Sequence, residues 1–288
     1  MKRLVYLLVA FAILMLACNI STTATPPPST EPPVVTEPPV VTEPPAETEP
    51  PIVTEPPVVT EPPVSQTNVT CNELSLFLDP GLASGYDCQT VPEAGEEFEV
   101  HPQYTELTLT GYVLADRFFT PHIDVFPVQR FSELVPDNVP ARVDALQALV
   151  AGGPVGPGAL PLLPIFNAAE TFHAQYMVVP FGSGTGIRYL TLYAQYAAPV
   201  NNHDMFYSFQ GLTADGQFWV SGILPASNPL LPDNADNPPG GQSWEEFSNN
   251  YAPYITDMTN QLNSQPADAY APSLAALDAL VSSILIQP

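Results

Sequence analysis

Asn201-Asn202-His203-Asp204 is the most polar cluster lying next to a strand-like run. A histidine beside an aspartate has the parts of a general base or a metal ligand, because imidazole titrates near neutrality. Neighbours on an extended strand point to opposite faces, however, so His203 and Asp204 cannot orient one another if the backbone is extended there. A turn that uses Asn and His accounts for the same residues. Glu170 and His173 are three apart, the spacing that puts both on one helix face in carboxylate metal sites. Such a site needs a matching Glu-x-x-His on partner helices, which the sequence lacks. Gln175 to Phe181 reads as strand, so His173 is given a structural role. His101 and His122 each neighbour a proline and show no acidic partner at a recognisable spacing.

Gly182-Ser183-Gly184-Thr185-Gly186 lacks the lysine of a phosphate loop and the Gly-x-Ser-x-Gly spacing of a nucleophile elbow, and is read as a hairpin turn. Asp233-Asn234-Ala235-Asp236-Asn237 lacks the alternate ligands and central glycine of an EF-hand, and is read as a solvated acidic loop. Tyr189, Tyr193, Phe206, Tyr207 and Trp219 lie on neighbouring predicted strands. Alternation divides them between two faces. If helices leave one face uncovered, Tyr189, Tyr193 and Trp219 form a stacking surface for a glycan or an apolar ligand; if not, they are core. No catalytic residue, metal site or cofactor is assigned.

The elements that must position these residues are legible from periodicity. Leu107, Leu109 and Val113 alternate with polar or half-polar residues, as do Ile123 and Val125 with His122 and Asp124, which predicts half-buried strands. Leu74, Leu76 and Leu78 mark another. A helix is expected over Val139 to Val150, with Pro140 in its first turn and Gly152-Gly153-Pro154 as its stop. Gly153 to Pro164 reads as an ordered loop, because Leu160, Leu162 and Leu163 are costly to leave wet. A meander follows over Phe172–Phe181, Ile187–Tyr196, Met205–Gln210 and Gln217–Leu224. Ser243 and Glu246 form a capping box opening a helix that Pro253 should kink or split, and a last helix starts at Pro272. Strands followed by helices predict an α+β fold with an antiparallel sheet. The meander with terminal helices is similar in architecture to extracytoplasmic PsbP-type α/β/α sandwiches, a likeness that implies no activity.

Met1-Lys2-Arg3 precedes an apolar run from Leu4 to Ala17, the layout of a secretory signal. The run is shorter than the roughly 20 residues that cross a membrane. Leu14-Met15-Leu16-Ala17-Cys18 resembles the lipobox of bacterial lipoproteins, with Met15 and Leu16 departing from its usual leucine and small residue. The resemblance implies cleavage after residue 17, lipidation of Cys18 and anchoring to the outer side of the cell membrane. Cleavage near Ala24, giving a soluble secreted protein, is the alternative. With Cys18 lipidated, Cys71 and Cys88 remain as a pair, either a disulfide in an oxidising compartment or two buried thiols.

Thr-Glu-Pro-Pro recurs at Thr30, Thr36, Thr42, Thr48, Thr54 and Thr60. Paired prolines fix φ and remove amide donors, so residues 18–64 are read as a polyproline II stalk carrying a single domain over 65–288. Once Lys2 and Arg3 are removed, no lysine remains; with the stalk set aside, Arg117, Arg130, Arg142 and Arg188 face 23 carboxylates, a net charge of −19. Such a surface repels phosphates, which argues against nucleic acid and anionic lipid. The expectation is a monomeric, non-catalytic ectodomain that binds a glycan or envelope protein, held to the membrane only by its lipid. An extracytoplasmic hydrolase using His203 or His173, or a structural envelope component, are the alternatives.

Overall fold

The computed structural model describes residues 67–287 except 97, 98 and 157. The expected signal, Cys18 and the expected stalk lie outside the described residues.

The long strands pair in a seven-stranded antiparallel sheet of order β3-β6-β7-β11-β10-β9-β8. These are β3 (Ala83–Val91), β6 (Tyr104–Tyr112), β7 (His122–Pro127), β8 (Ala169–Phe181), β9 (Gly184–Ala194), β10 (Phe206–Thr213) and β11 (Phe218–Pro225). β1 (Val69–Cys71), β2 (Leu74–Leu76) and β12 (Leu285–Ile286) make a small second sheet, while β4 (Ala94–Glu96) and β5 (Glu99–His101) form a separate ribbon. The helices are α1 (Val128–Leu134), α2 (Val139–Val150), α3 (Trp244–Asn249), α4 (Tyr251–Asn263) and α5 (Leu274–Ser282). The fold is α+β, as expected.

Register assigns the faces. Phe206, Ser208, Gln210 and Leu212 stand opposite Thr191, Tyr189, Ile187 and Thr185 on one side and opposite Pro225, Ile223, Ser221 and Trp219 on the other. Because side chains alternate along a strand, this one face carries Trp219, Ile187 and Phe126, which pack with Phe131 of α1, Leu146 of α2 and Leu160 and Leu163 of the following loop. The opposite face carries Leu190, Tyr207 and Val220, packed with Leu262 of α4, Leu277 and Val281 of α5 and Leu74 of the small sheet. Both faces are therefore covered, and the buried leucines of the Gly153–Pro164 loop cap one of them.

Buried polar side chains fasten these layers. Gln210, wholly buried, donates to Ser208 and Ser221 and accepts from Trp219 Nε1 at 2.8 Å and from the Leu163 amide at 3.1 Å. Asp278 on α5 accepts from Tyr207 Oη at 2.8 Å and lies 3.1 Å from Arg188 Nε. Cys71 and Cys88 form a disulfide, their Cα atoms 5.6 Å apart, which joins β1 to the edge strand β3.

The terminal helices depart slightly from the sequence-based bounds. The Ser243–Glu246 capping box is present, and the chain breaks at Asn250, between α3 and α4, ahead of Pro253. The last helix begins at Leu274 with Ser273 as its cap, because a capping hydroxyl reaching the Ala276 amide outweighs an early start at Pro272. The glycine-rich stretch is only partly turn: Gly184, Thr185 and Gly186 pair within β9. A Cβ on Gly184 would collide with the Leu212 carbonyl, which explains a glycine inside a paired strand.

Candidate functional site

Three chain connections meet at one end of the large sheet: residues 113–121, 164–168 and 195–205. Phe119 stacks on Phe166 with centroids 5.4 Å apart and meets Phe206 edge-on at 4.7 Å. Phe166 in turn meets Tyr193 edge-on at 5.0 Å. With Leu162 and Ile223 beneath them, these rings form a locked aromatic floor. Consecutive phenylalanines diverge here: Phe119 enters the floor, while Phe118 remains 64% exposed on its rim.

The walls are tied to each other. Phe118 donates its amide to the His203 carbonyl at 2.9 Å, and Gln195 Nε2 donates to the Asn167 carbonyl at 2.6 Å. Two tyrosines of α4 hold the long connection from behind, Tyr251 donating to the Ala198 carbonyl and Tyr254 accepting from the Val200 amide, each at 2.9 Å. Burial pushes the Tyr251 hydroxyl up to about 12, so it stays a neutral donor at physiological pH. Tyr193 is shifted upward by burial too.

Between these walls runs a cleft of about 620 Å³ bounded by Phe118, Phe119, Ile165, Phe166, Tyr196 and Asp204. A second, more open cleft of about 750 Å³ shares the Phe166–Ala168 and Ala194–Tyr196 walls and ends at Tyr251. Tyr196 is 60% exposed where the two meet, and its ring lies 6.4 Å from that of Trp244, itself 44% exposed. The result is one groove with ring faces on its floor and rim. Asn167, Gln195 and Asp204 line its narrower part, and Asn167, Glu170, Thr171 and Gln195 its wider part.

The Asn201–Asp204 segment forms a turn rather than an extended strand, and in this geometry His203 and Asp204 meet. His203 Nδ1 lies 2.6 Å from Asp204 Oδ1, possible because the backbone is not extended there. Asn201, wholly buried, drives the turn: its Oδ1 accepts from the amides of His203 and Asp204, and its Nδ2 donates to Asp204 Oδ2 at 2.9 Å. Both carboxylate oxygens of Asp204 are thus engaged. The imidazole side chain is 43% exposed and sits 6.2 Å, ring to ring, from Phe118 at the groove's end.

The other sequence candidates separate. Tyr189 and Trp219 are fully buried beneath α2 and its loop, so neither reaches a surface; of the three aromatic candidates only Tyr193 borders the groove. Alternation along a strand cannot reveal which face a loop covers, and that is why all three look alike in sequence. Glu170 and His173 share one side of β8 because a register irregularity separates Glu170 from Phe172. Glu170 Oε1 is 2.8 Å from His173 Nδ1, while Oε2 accepts from the Leu160 amide at 2.6 Å. This carboxylate pins the buried loop to the sheet.

One polar group escaped the sequence reading. His122 does have an acidic partner, since Asp124 is two residues along the same strand face, with Oδ2 3.6 Å from Nε2. Asp124 is almost completely buried, its Oδ1 has no hydrogen-bond partner among the described residues, and Glu106 stands opposite it on β6. Burial and the Glu106 charge hold the Asp124 carboxyl well above the ordinary range, and burial pulls His122 down. His122 Nδ1 donates to the Thr120 carbonyl at 2.7 Å, which leaves Nε2 facing Asp124. Among the described residues no three His, Cys, Asp or Glu side chains gather in a metal-binding group.

No protein-family model, curated protein or solved structure matches the chain.

Proposed function

We propose that this chain is a surface lipoprotein, anchored through Cys18 and spaced from the membrane by its Thr-Glu-Pro-Pro stalk, whose folded domain takes a ligand in the aromatic groove. The observation that carries the reading is the placement of Phe118 and Tyr196. Two large rings stay 64% and 60% exposed on the rim of a preformed aromatic cleft, where a domain with no ligand gains nothing from leaving them wet. The floor rings are held by one another, so little ordering is required when a ligand arrives. The stalk supplies reach and the lipid supplies location.

The test compares the full-length chain with its Phe118→Ala and Tyr196→Ala variants against a panel of oligosaccharides, peptides and small aromatic compounds, read by thermal shift. At least one class should raise the melting temperature of the parent and raise that of both variants less. Identical shifts in all three proteins sink the reading.

A second reading, an extracytoplasmic hydrolase, draws support from His203 and Asp204. Asp204 takes the Nδ1 side of a ring that is 43% exposed, which keeps Nε2 for another partner, as a general base that activates water requires. Hydrolytic activity toward the bound ligand that vanishes in His203→Ala while binding persists would establish it.

A further inference from the structure

We infer that the ligand of this groove is an uncharged glycan chain, an inference that rests on reading the groove as the binding site. Three ligand chemistries suit an aromatic cleft: a hydrocarbon, an organic cation and a carbohydrate. The polar members of the walls decide among them.

A purely apolar ligand would cover Asn167, Gln195 and Asp204, all of which line the narrower cleft, and would strip their water without offering hydrogen bonds in return. An organic cation suits ring faces, but it also needs an available anion. Among the described residues two carboxylates line the groove, Asp204 and Glu170. The oxygens of Asp204 already accept from His203 and Asn201. The Glu170 side chain is only 2% exposed, and its oxygens are bonded to His173 and the Leu160 amide. A cation in the groove would have to share or displace those bonds.

A sugar ring presents an apolar C–H face and a rim of hydroxyls. Phe118 and Tyr196 offer exposed ring faces to the first. The planar side chains of Asn167 and Gln195, both exposed on the groove wall, offer paired donor and acceptor atoms to the second. Gln195 uses only its amide nitrogen toward the opposite wall, so its carbonyl oxygen can receive a hydroxyl. Charge sets the class of glycan. Among the described residues no lysine or arginine lines either cleft, and residues 65–288 carry a net −19, so uronic, sulfated or sialylated chains meet repulsion with no compensating ion pair. Length follows from the shared walls. The two clefts share the Phe166–Ala168 and Ala194–Tyr196 walls, so together they form one continuous site with room for several linked residues, its wider part reaching Tyr251.

The experiment is isothermal titration of the full-length chain with cellohexaose, chitohexaose, hexagalacturonic acid and tetramethylammonium chloride. At least one neutral hexasaccharide should bind saturably, and at least about tenfold more tightly than hexagalacturonic acid. Phe118→Ala and Tyr196→Ala should each weaken it by about tenfold, while Tyr196→Phe, which keeps the ring face, should bind within about threefold of the parent. Phe118 and Tyr196 are exposed, so these variants retain the parent's melting temperature. Absence of saturable binding by both neutral hexasaccharides, or preference for the acid or the cation, overturns the glycan assignment. If a charged probe binds and Phe118→Ala abolishes that binding, the groove reading survives without the glycan. If whichever probe binds does so equally to all variants, the groove reading falls as well.

Discussion

The amide of Phe118 donates to the carbonyl of His203 at 2.9 Å, and this single bond joins two connections that lie 85 residues apart in the chain. It places an exposed ring beside an imidazole and closes one end of the aromatic groove. Neighbouring phenylalanines then serve different purposes, Phe118 on the rim and Phe119 in the floor, and they should respond differently to truncation. Phe119→Ala is expected to cost about 2–3 kcal/mol, less than for a fully buried ring because Phe119 is half-buried. Phe118→Ala should stay within about 0.5 kcal/mol of the parent. Urea denaturation of the two variants measures both.

Asn201 holds the Asn201–Asp204 turn through two backbone amides and the Asp204 carboxylate. Asn201→Ala leaves those amides without their acceptor, at about 1–3 kcal/mol for each that is cut off from water. A loss of about 2–4 kcal/mol is expected. His203→Ala, which removes only the half-exposed ring, should cost less than about 1 kcal/mol. Equal losses from the two substitutions would contradict the assignment of the turn chiefly to the Asn201 side chain.

The Cys71–Cys88 bond closes a loop of 17 residues in sequence. In the chain-entropy account such a crosslink contributes about 3 kcal/mol, which for a domain of this size corresponds to a fall of roughly 6–12 °C in melting temperature on reduction. Calorimetry with and without dithiothreitol gives the number.

Asp124 and His122 make opposite contributions to the pH dependence of stability. The folded carboxyl of Asp124 lies above its unfolded value, so the native state binds the extra proton. Its contribution is complete below about pH 4 and is lost as pH rises through the folded value. His122 is lowered when folded, so its neutral form is favoured and its contribution is lost as pH falls below about 6.5. Asp124→Asn should therefore flatten the decline of stability on the alkaline side and be nearly neutral at pH 4. His122→Gln should remove the acid-side loss. Chemical denaturation at pH 4, 6 and 8 resolves the two slopes.

Much of the scaffold was legible before the structure. The stripe of Val143, Leu146 and Val150, with Pro140 and the double glycine around it, marks α2 at the bounds Val139–Val150. The aromatic, β-branched runs of the meander correspond to β8 through β11. Leu74 and Leu76 mark β2, whereas β1 and β12, of three and two residues, escaped because they have no room for a period. The groove escaped for another reason. Phe118, Phe166 and Tyr196 come from three connections with no shared spacing, and only the strand order of the sheet brings them together. Burial misled in the same way: His122 and Asp124 have the alternation of a solvent face, yet that face lies against covering chain, and Asp124 ends up among the most buried polar groups. Alternation tells that a strand has two sides and not what each side meets.

The groove is the centre of this account, and the phenylalanines report on it directly. Fluorine NMR of the full-length chain labelled with fluorophenylalanine, titrated with the neutral hexasaccharides, distinguishes the groove from the rest of the domain. Resonances of Phe118, Phe119 and Phe166 should move together and saturate, while Phe172, Phe181 and Phe209, which belong to the core on the opposite sheet face, stay fixed. Binding that leaves Phe118 and Phe166 unmoved would contradict the account.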